Sequence, residues 1–169
     1  MNLERHKFRL LLLLASRDHR ARFLTVNGAA GPGAISADAT FDGSATAADA
    51  AFVINGGAVA GAEGAVMNFY EDSSAEAANI TINGGSNGGG GGSLFFFVRS
   101  DGGSASIAPY GNGQMDIGNH ARPGVTIGSL EGDGLVFLGV RALTIGSNNW
   151  STQLFRDYPG WRERWWNGW

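Results

Sequence analysis

Short apolar segments alternate with small polar turns along the middle of this chain, and the alternation returns at a fixed interval. Asn27, Asn55 and Asn83 each precede a glycine, and 28 residues separate each from the next. A pair of β-branched residues stands directly before each asparagine. Three copies in one register, without insertion or deletion, indicate an internal structural repeat.

Phenylalanine provides a second anchor at the same interval. Phe41, Phe69 and Phe97 are also spaced by 28 residues and lie between the asparagines. A small polar residue follows each of them three positions later, at Ser44, Asp72 and Ser100. Because the two anchors keep the same register, chance similarity of residue types is a poor explanation.

This repeat predicts an all-β fold in which successive units stack as a parallel β-solenoid. β-Branched and aromatic residues favour strands, and Gly, Asn, Asp and Ser supply the positive φ angles of tight corners. One unit cannot bury its own apolar face, whereas stacked units share one core. The two expected internal ladders are Val26, Ile54 and Ile82, and Phe41, Phe69 and Phe97. The alternative, an antiparallel sandwich, gives no reason to keep side-chain identity at a fixed register.

The period shortens after Ile107. The sequence VTIG at residues 125–128 recurs as LTIG at residues 143–146, well before a full copy of the earlier repeat would be complete. This 18-residue spacing suits a bare coil, so the 28-residue units are expected to be coils enlarged by loops such as residues 84–93.

Glycine marks the extent of the repeat. The chain has 169 residues with 28 Gly, of which 26 lie between Gly28 and Gly146 and none in residues 1–22. Collagen is excluded because these glycines have no three-residue period. We divide the chain into a basic segment at residues 1–22, a β-solenoid region at 23–152 and a tail at 153–169.

The basic N-terminal segment has two interpretations besides an out-of-frame origin. Residues 1–22 carry six basic and two acidic side chains, but the unbroken apolar run covers only residues 10–15. A secretion signal needs an apolar run of about 7 to 15 residues and a small-residue cleavage site. The segment is therefore leader-like, and residues 3–15 also fit a short helix. The run is far shorter than the roughly 20 residues of a membrane span.

The C-terminal tail departs from the repeat. Residues 156–169 hold four of the five Trp. Codons can be chosen for residues 153–169 that, read one base later, encode a Gly-rich continuation of the repeat. We interpret the tail as a frameshifted remnant, which the gene sequence would decide. The alternative is an aromatic patch for a sugar or a membrane.

Acidic residues are the main candidates for chemistry. Clustered carboxylates serve polysaccharide hydrolases and bind cations. The candidate acids are Glu71, Asp72, Asp101, Glu131 and Asp133. At the 28-residue register Glu71 would stack between Gly43 and Arg99, and Asp72 between Ser44 and Ser100. Neighbouring coils then supply no second carboxylate, so we predict solvated turn acids and a surface ion pair between Glu71 and Arg99.

Other ligand classes lack the residues they need. Residues 23–155 carry three basic and eleven acidic side chains, which gives no footprint for nucleic acid. His120 stands alone in this region, no Cys is present, and no Lys-Ser or Lys-Thr follows residues 88–92. Thr25, Val53 and Thr81 form a broken threonine ladder, unsuited to ice binding. The asparagines are expected to satisfy backbone groups at corners. We predict no catalytic residue, metal site or cofactor.

The repeated units, followed by PGVTIGSLEG at residues 123–132 and LTIGSNN at 143–149, resemble the β-strand repeats of large bacterial autotransporter passengers. The resemblance covers about residues 24–152. It implies a right-handed β-helix that a C-terminal barrel exports across the outer membrane, and a role as an adhesin or surface structure. The expected function is thus a non-catalytic structural or adhesive segment, a fragment of a secreted or cell-surface protein. The alternatives are a carbohydrate-active β-helix enzyme and a truncated product with no selected function.

Expected partners follow from this function. They are a host or matrix surface or a polysaccharide, and a second copy of the chain. Uncapped solenoid ends expose strands that can pair, so we expect self-association through these ends.

Overall fold

The computed structural model describes residues 9–11 and 23–149. These residues form strands and turns without a helix. The strands are β1 (Arg9–Leu11), β2 (Phe23–Val26), β3 (Asp38–Phe41), β4 (Ala51–Ile54), β5 (Val66–Phe69), β6 (Asn79–Ile82), β7 (Ser93–Phe96), β8 (Ser106–Pro109), β9 (Gln114–Asp116), β10 (Gly124–Ile127), β11 (Ser129–Leu130), β12 (Leu135–Phe137) and β13 (Ala142–Ile145). The described residues accordingly contain no helical segment that could span a membrane.

The strands lie in three sheets, and every strand pair in the described ranges is parallel. Sheet A has the order β1-β3-β5-β7-β9-β12, sheet B the order β11-β8-β6-β4-β2, and sheet C contains β10 and β13. The chain passes from sheet A to sheet B and back, and each passage, here called a coil, adds one strand to each. The expected all-β fold of stacked parallel strands is confirmed.

On the third side of the early coils, neighbouring coils are joined by isolated parallel β-bridges. Thr46 pairs with Ser74, and Ser74 pairs with Asp101. In the later coils strands β10 and β13 pair in the register Val125↔Leu143. The shorter repeat seen in the sequence is therefore one coil, as expected.

The coils differ in length at one connection. The interval from the start of a sheet A strand to the start of the next sheet B strand is the same in three coils. These strands begin at Asp38 and Ala51, at Val66 and Asn79, and at Ser93 and Ser106. The interval from the start of a sheet B strand to the start of the next sheet A strand becomes shorter along the chain. These strands begin at Ala51 and Val66, at Asn79 and Ser93, at Ser106 and Gln114, and at Ser129 and Leu135. The expectation that loops enlarge the longer coils is confirmed.

The loops in the early coils stack through bare backbone. A Cβ placed on Gly56 would overlap the backbone nitrogen of Gly85 in the next coil. The loop bases are closed by hydrogen bonds from Ala65 N–H to the Asn55 carbonyl and from Gly92 N–H to the Asn83 carbonyl, each 2.9 Å. Glycine is needed here because the backbones approach closer than any side chain permits.

The core consists of side chains repeated from coil to coil. Val26, Ile54 and Ile82 pair in register and are buried, which confirms the expected ladder. In the second ladder Phe41 stacks on Phe69 with ring centroids 4.6 Å apart and planes inclined by 7°.

The third member of the aromatic ladder is Phe96, and the expectation of Phe97 was wrong. The loop before β7 is one residue shorter than the loop before β5, so Val66 pairs with Ser93 and Phe69 with Phe96. Phe96 is therefore fully buried. Phe97 lies outside the core and stacks on Tyr70, with centroids 4.5 Å apart.

The N-terminal strand corrects a second expectation. Arg9–Leu11 forms a strand parallel to Asp38–Phe41, where a short helix was one of the interpretations. An isolated helix of this length is marginal, whereas the edge of β3 offers backbone partners. The other residues of 1–22, and the tail from Trp150 onward, lie outside the described residues.

Candidate functional site

The ion pair on the surface involves Asp72, so the expected pairing of Glu71 with Arg99 was wrong. The Arg99 Nε donates to Asp72 Oδ1 at 2.8 Å, and Nη2 donates to Oδ2 at 2.9 Å. The one-residue shift that places Phe96 opposite Phe69 also moves Arg99 from Glu71 to Asp72. This hydrogen bonding lowers the pKa of Asp72 and raises the pKa of Arg99. Both side chains are exposed.

Glu71 lies beside this pair, and its charge also contributes to the raised pKa of Arg99. The other three candidate acids have different surroundings. Asp133 Oδ1 accepts a hydrogen bond from Gly111 N–H at 2.9 Å, which fixes a turn. Asp101 is exposed and belongs to the bridge on the third side. Glu131 lines an open groove of about 220 Å³ over the end of sheet B, together with Ser106 and Tyr110, which we call the sheet B groove. Within the described ranges, no three His, Asp or Glu side chains gather in a way that could hold a metal ion.

His120 links two coils. The ring is buried, with Nε2 2.7 Å from the Ser100 carbonyl oxygen and Nδ1 2.7 Å from the Ala121 carbonyl oxygen. The Arg141 side chain in turn donates to the His120 carbonyl. These contacts give the histidine a role in holding the backbone of adjacent coils together.

The asparagine repeat forms a ladder of side-chain amides. Asn55 Nδ2 donates to Asn27 Oδ1 at 2.9 Å, and Asn83 Nδ2 donates to Asn55 Oδ1 at 2.8 Å. The amides bond to one another, whereas bonding to corner backbone was expected. Asn112, which the sequence reasoning missed, does contact corner backbone. It accepts from Gly85 N–H at 2.7 Å and donates to the Gly89 carbonyl at 3.0 Å.

The broken threonine row has the register that was expected, and it lies in sheet B. Thr25 pairs with Val53, and Val53 with Thr81. The glycine run at 88–92 leads into the strand β7.

The outer face of sheet A carries a group of residues that the sequence reasoning did not find. In each strand alternate residues point away from the core. The in-register outward positions are, from coil to coil, Thr40, Asn68, Phe95, Asp116 and Phe137. Thr40 and Asn68 are buried, Phe95 and Asp116 are half-buried, and Phe137 is 45% exposed. We call the space over Asp116, between Phe95 and Phe137, the sheet A groove.

Aromatic rings enlarge one wall of the sheet A groove. The ring centroids of Phe95 and Phe97 are 5.6 Å apart, and the Phe97 ring in turn stacks on the ring of Tyr70. The floor is strand β9, where Asp116 Oδ1 accepts from Gly118 N–H at 2.7 Å and Gln114 Nε2 donates to Ser93 Oγ at 3.0 Å. The groove is therefore apolar on its sides and lined by oxygen acceptors below.

The repeat region as a whole is acidic. The described residues 23–149 carry eleven acidic and three basic side chains. Of the three, Arg99 is paired with Asp72, and Arg141 is turned to a backbone carbonyl. A surface with this balance attracts cations.

No protein-family model matches this chain, and comparisons with curated proteins and with solved structures gave no significant match.

Proposed function

We propose that this chain is a non-catalytic structural or adhesive segment of a secreted or cell-surface protein, a fragment of a right-handed β-helix. The carrying observation is the continuous parallel register of sheet A through six strands. An architecture in which each coil adds the same strands to the same sheets extends a rod by simple repetition. The side chains left outward are then available to present a surface.

The distribution of acids supports a role without catalysis. Glycoside hydrolysis uses two carboxyl groups about 5 to 10 Å apart that flank one bond. Asp72 is committed to Arg99 and Asp133 to a turn, and Glu131 is the one candidate acid among the described residues that lines the sheet B groove.

The parent protein is proposed to be of the autotransporter passenger type, located outside the cell or on a bacterial outer membrane. The support is the resemblance of the repeats at residues 24–152 together with the parallel stacking. Immunodetection on intact and lysed cells of the source organism tests the location. Signal confined to lysed cells would overturn it.

We also propose that the chain associates with itself through the ends of the stack. Strands β2 and β13 each have one paired neighbour among the described strands. Large apolar side chains are exposed beside both, with Phe23 at 70% and Val140 at 72%. Light scattering should show mass increasing with concentration, and Val140→Lys should reduce the increase. A monodisperse monomer at high concentration would contradict this proposal.

A depolymerisation assay tests the absence of catalysis. The full chain is incubated with a panel of neutral and acidic polysaccharides, and new reducing ends and unsaturated products are measured. We expect no product above the buffer control. Product formation that Glu131→Gln abolishes and Glu63→Gln leaves intact would show a carbohydrate-active enzyme instead.

A further inference from the structure

We propose that the sheet A groove binds cationic side chains of a basic polypeptide, with one ammonium or guanidinium group over Asp116 between Phe95 and Phe137. This inference rests on the proposed function, since it identifies the surface that an adhesive segment would present and the chemistry of its partner. The three residues are in-register partners on adjacent strands and form a single outward row.

The spacing of the walls suits a cation. Phe95 and Phe137 lie on strands two apart, so their backbones are separated by about 9.6 Å, twice the usual strand spacing. A group centred between them is about 5 Å from each wall, which is inside the roughly 6 Å reach of a cation–π contact. Phe137 is 45% exposed, so its ring is accessible to a partner.

The floor accepts hydrogen bonds and offers few donors. Gly118 N–H holds Oδ1 of Asp116, and Oδ2 has no hydrogen-bond partner within the described ranges. The Gln114 amide nitrogen is occupied by Ser93, which leaves its Oε1 as an acceptor. A carboxylate and an amide oxygen between aromatic rings select a ligand that donates hydrogen bonds and carries positive charge.

The surrounding charge favours a polypeptide with several basic residues. With eleven acidic and three basic side chains in residues 23–149, the surface attracts a multivalent cation more strongly than a single ion. Beyond Asp116 and Phe137 the chain continues into Gly118 and Gly139, whose backbones lie close together, since a Cβ on Gly139 would lie 3.0 Å from the Gly118 Cα. These two glycines present no side chain to a peptide that extends in that direction.

The groove is tested by titrating a fluorescein-labelled octalysine peptide with the full chain and measuring fluorescence anisotropy. Asp116→Asn removes the floor charge, and Phe137→Leu removes the more exposed ring. Asp49→Asn is the matched control, since it makes the same charge change at an exposed corner before β4. We expect Asp116→Asn to weaken binding about tenfold, corresponding to one charge-assisted contact, and Phe137→Leu to weaken it about threefold. Asp49→Asn should stay within about twofold of the unmodified chain, because surface charges contribute little individually.

Three results would overturn the proposal. Equal losses in Asp116→Asn and Asp49→Asn would mean diffuse attraction to the acidic surface, and unchanged affinity in Phe137→Leu would exclude the aromatic wall. Displacement of the peptide by neutral oligosaccharides would identify a sugar-binding face. Circular dichroism of each variant confirms the strand content. The depolymerisation assay reports on Glu131 and this titration on Asp116, so the proposed function and the groove can fail separately.

Discussion

The ring of Phe96 lies on the ring of Phe69, with centroids 5.1 Å apart and planes inclined by 11°. Phe41 continues the stack on the other side of Phe69. The ring of Phe52 packs edge-on against the ring of Phe41, with centroids 5.8 Å apart. All four side chains are fully buried. Aromatic contacts of this kind add about 0.5 to 1.5 kcal/mol each to the free energy of burial. The column therefore ties three coils together through a single row of side chains.

Truncating Phe96 should be much more damaging than truncating its neighbour. We expect Phe96→Ala to lower the free energy of unfolding by about 3 to 5 kcal/mol, because it empties a buried aromatic site. Phe97→Ala removes a half-buried ring that stacks on Tyr70 and should cost about 1 kcal/mol. Urea denaturation monitored by circular dichroism measures both. Equal losses, or a larger loss for Phe97→Ala, would contradict the shifted register.

A strained corner offers a stabilising change. Gly43, Glu71 and Val98 occupy equivalent corners with φ of 61°, 54° and 59°. The left-handed conformation costs a non-glycine residue about 1 to 2 kcal/mol, and a β-branched side chain is a particularly poor occupant. We expect Val98→Gly to raise the free energy of unfolding by about 1 kcal/mol after the greater freedom of unfolded glycine is subtracted. Gly43→Val is the reverse control and should destabilise. Stabilisation by both changes would show that the backbone angle is not the cause.

Two buried hydroxyl groups are unsatisfied. Ser73 and Ser100 lie at equivalent positions, buried, and their Oγ atoms have no hydrogen-bond partner in the part of the chain that the structure describes. Ala45 occupies the matching position one coil earlier. Since a buried unpaired polar group costs about 1 to 3 kcal/mol, we expect Ser73→Ala and Ser100→Ala each to stabilise by about 1 kcal/mol.

The control for the serine variants is Ser129→Ala. The Ser129 hydroxyl is buried and donates to Ser106 Oγ at 3.0 Å, so its removal loses a hydrogen bond in the interior and should destabilise. Thermal unfolding of all three variants gives the comparison. Destabilisation by Ser73→Ala and Ser100→Ala of the same size as by Ser129→Ala would indicate that those hydroxyls do have partners.

The ion pair between Asp72 and Arg99 predicts a measurable titration. Hydrogen bonding to Arg99 lowers the pKa of Asp72, so the stabilisation by this pair is fully present above the ordinary carboxyl pKa and is lost as pH falls through the lowered value. Nuclear magnetic resonance titration should find the pKa of Asp72 below its ordinary value, and Arg99→Gln should return it toward that value. Glu71→Gln should have little effect. A pKa of Asp72 that stays unchanged in Arg99→Gln would contradict the pairing of Arg99 with Asp72.

The members of the asparagine ladder, which contains Asn55, and of the aliphatic ladder, which contains Ile54, could be predicted from the sequence because their coils have equal length. The register of Phe96 could not, because the residue lost before β7 falls in a run of glycines, where nothing marks its absence. Residues 95–97 are all phenylalanine, so the exact repeat and one shortened by a single residue both place a phenylalanine opposite Phe69. The same one-residue error in register led to the wrong prediction that Arg99 pairs with Glu71.

The sheet A groove was beyond sequence reasoning for a related reason. The interval from Phe95 to Asp116 equals the interval from Asp116 to Phe137, but it matches neither of the repeats visible in the sequence. It arises because the connection from sheet B to sheet A shortens after Ser106 while the strands keep their order. Loop length in a glycine-rich chain has no local signature, so the juxtaposition depends on the folded coils.

Disulfide formation between introduced cysteines tests the parallel coil register most directly, since the natural chain has no Cys. Adjacent strands bring paired Cα atoms to about 4.8 Å, within the range of a disulfide. Under mild oxidation, Tyr70→Cys combined with Phe97→Cys should give an intramolecular disulfide in the native chain, detected by mass spectrometry. Tyr70→Cys combined with Val98→Cys, the pairing that an unshifted 28-residue register requires, should stay reduced. Cross-linking of the second pair in preference to the first would contradict the shifted register, and cross-linking of neither pair would contradict the stacked architecture.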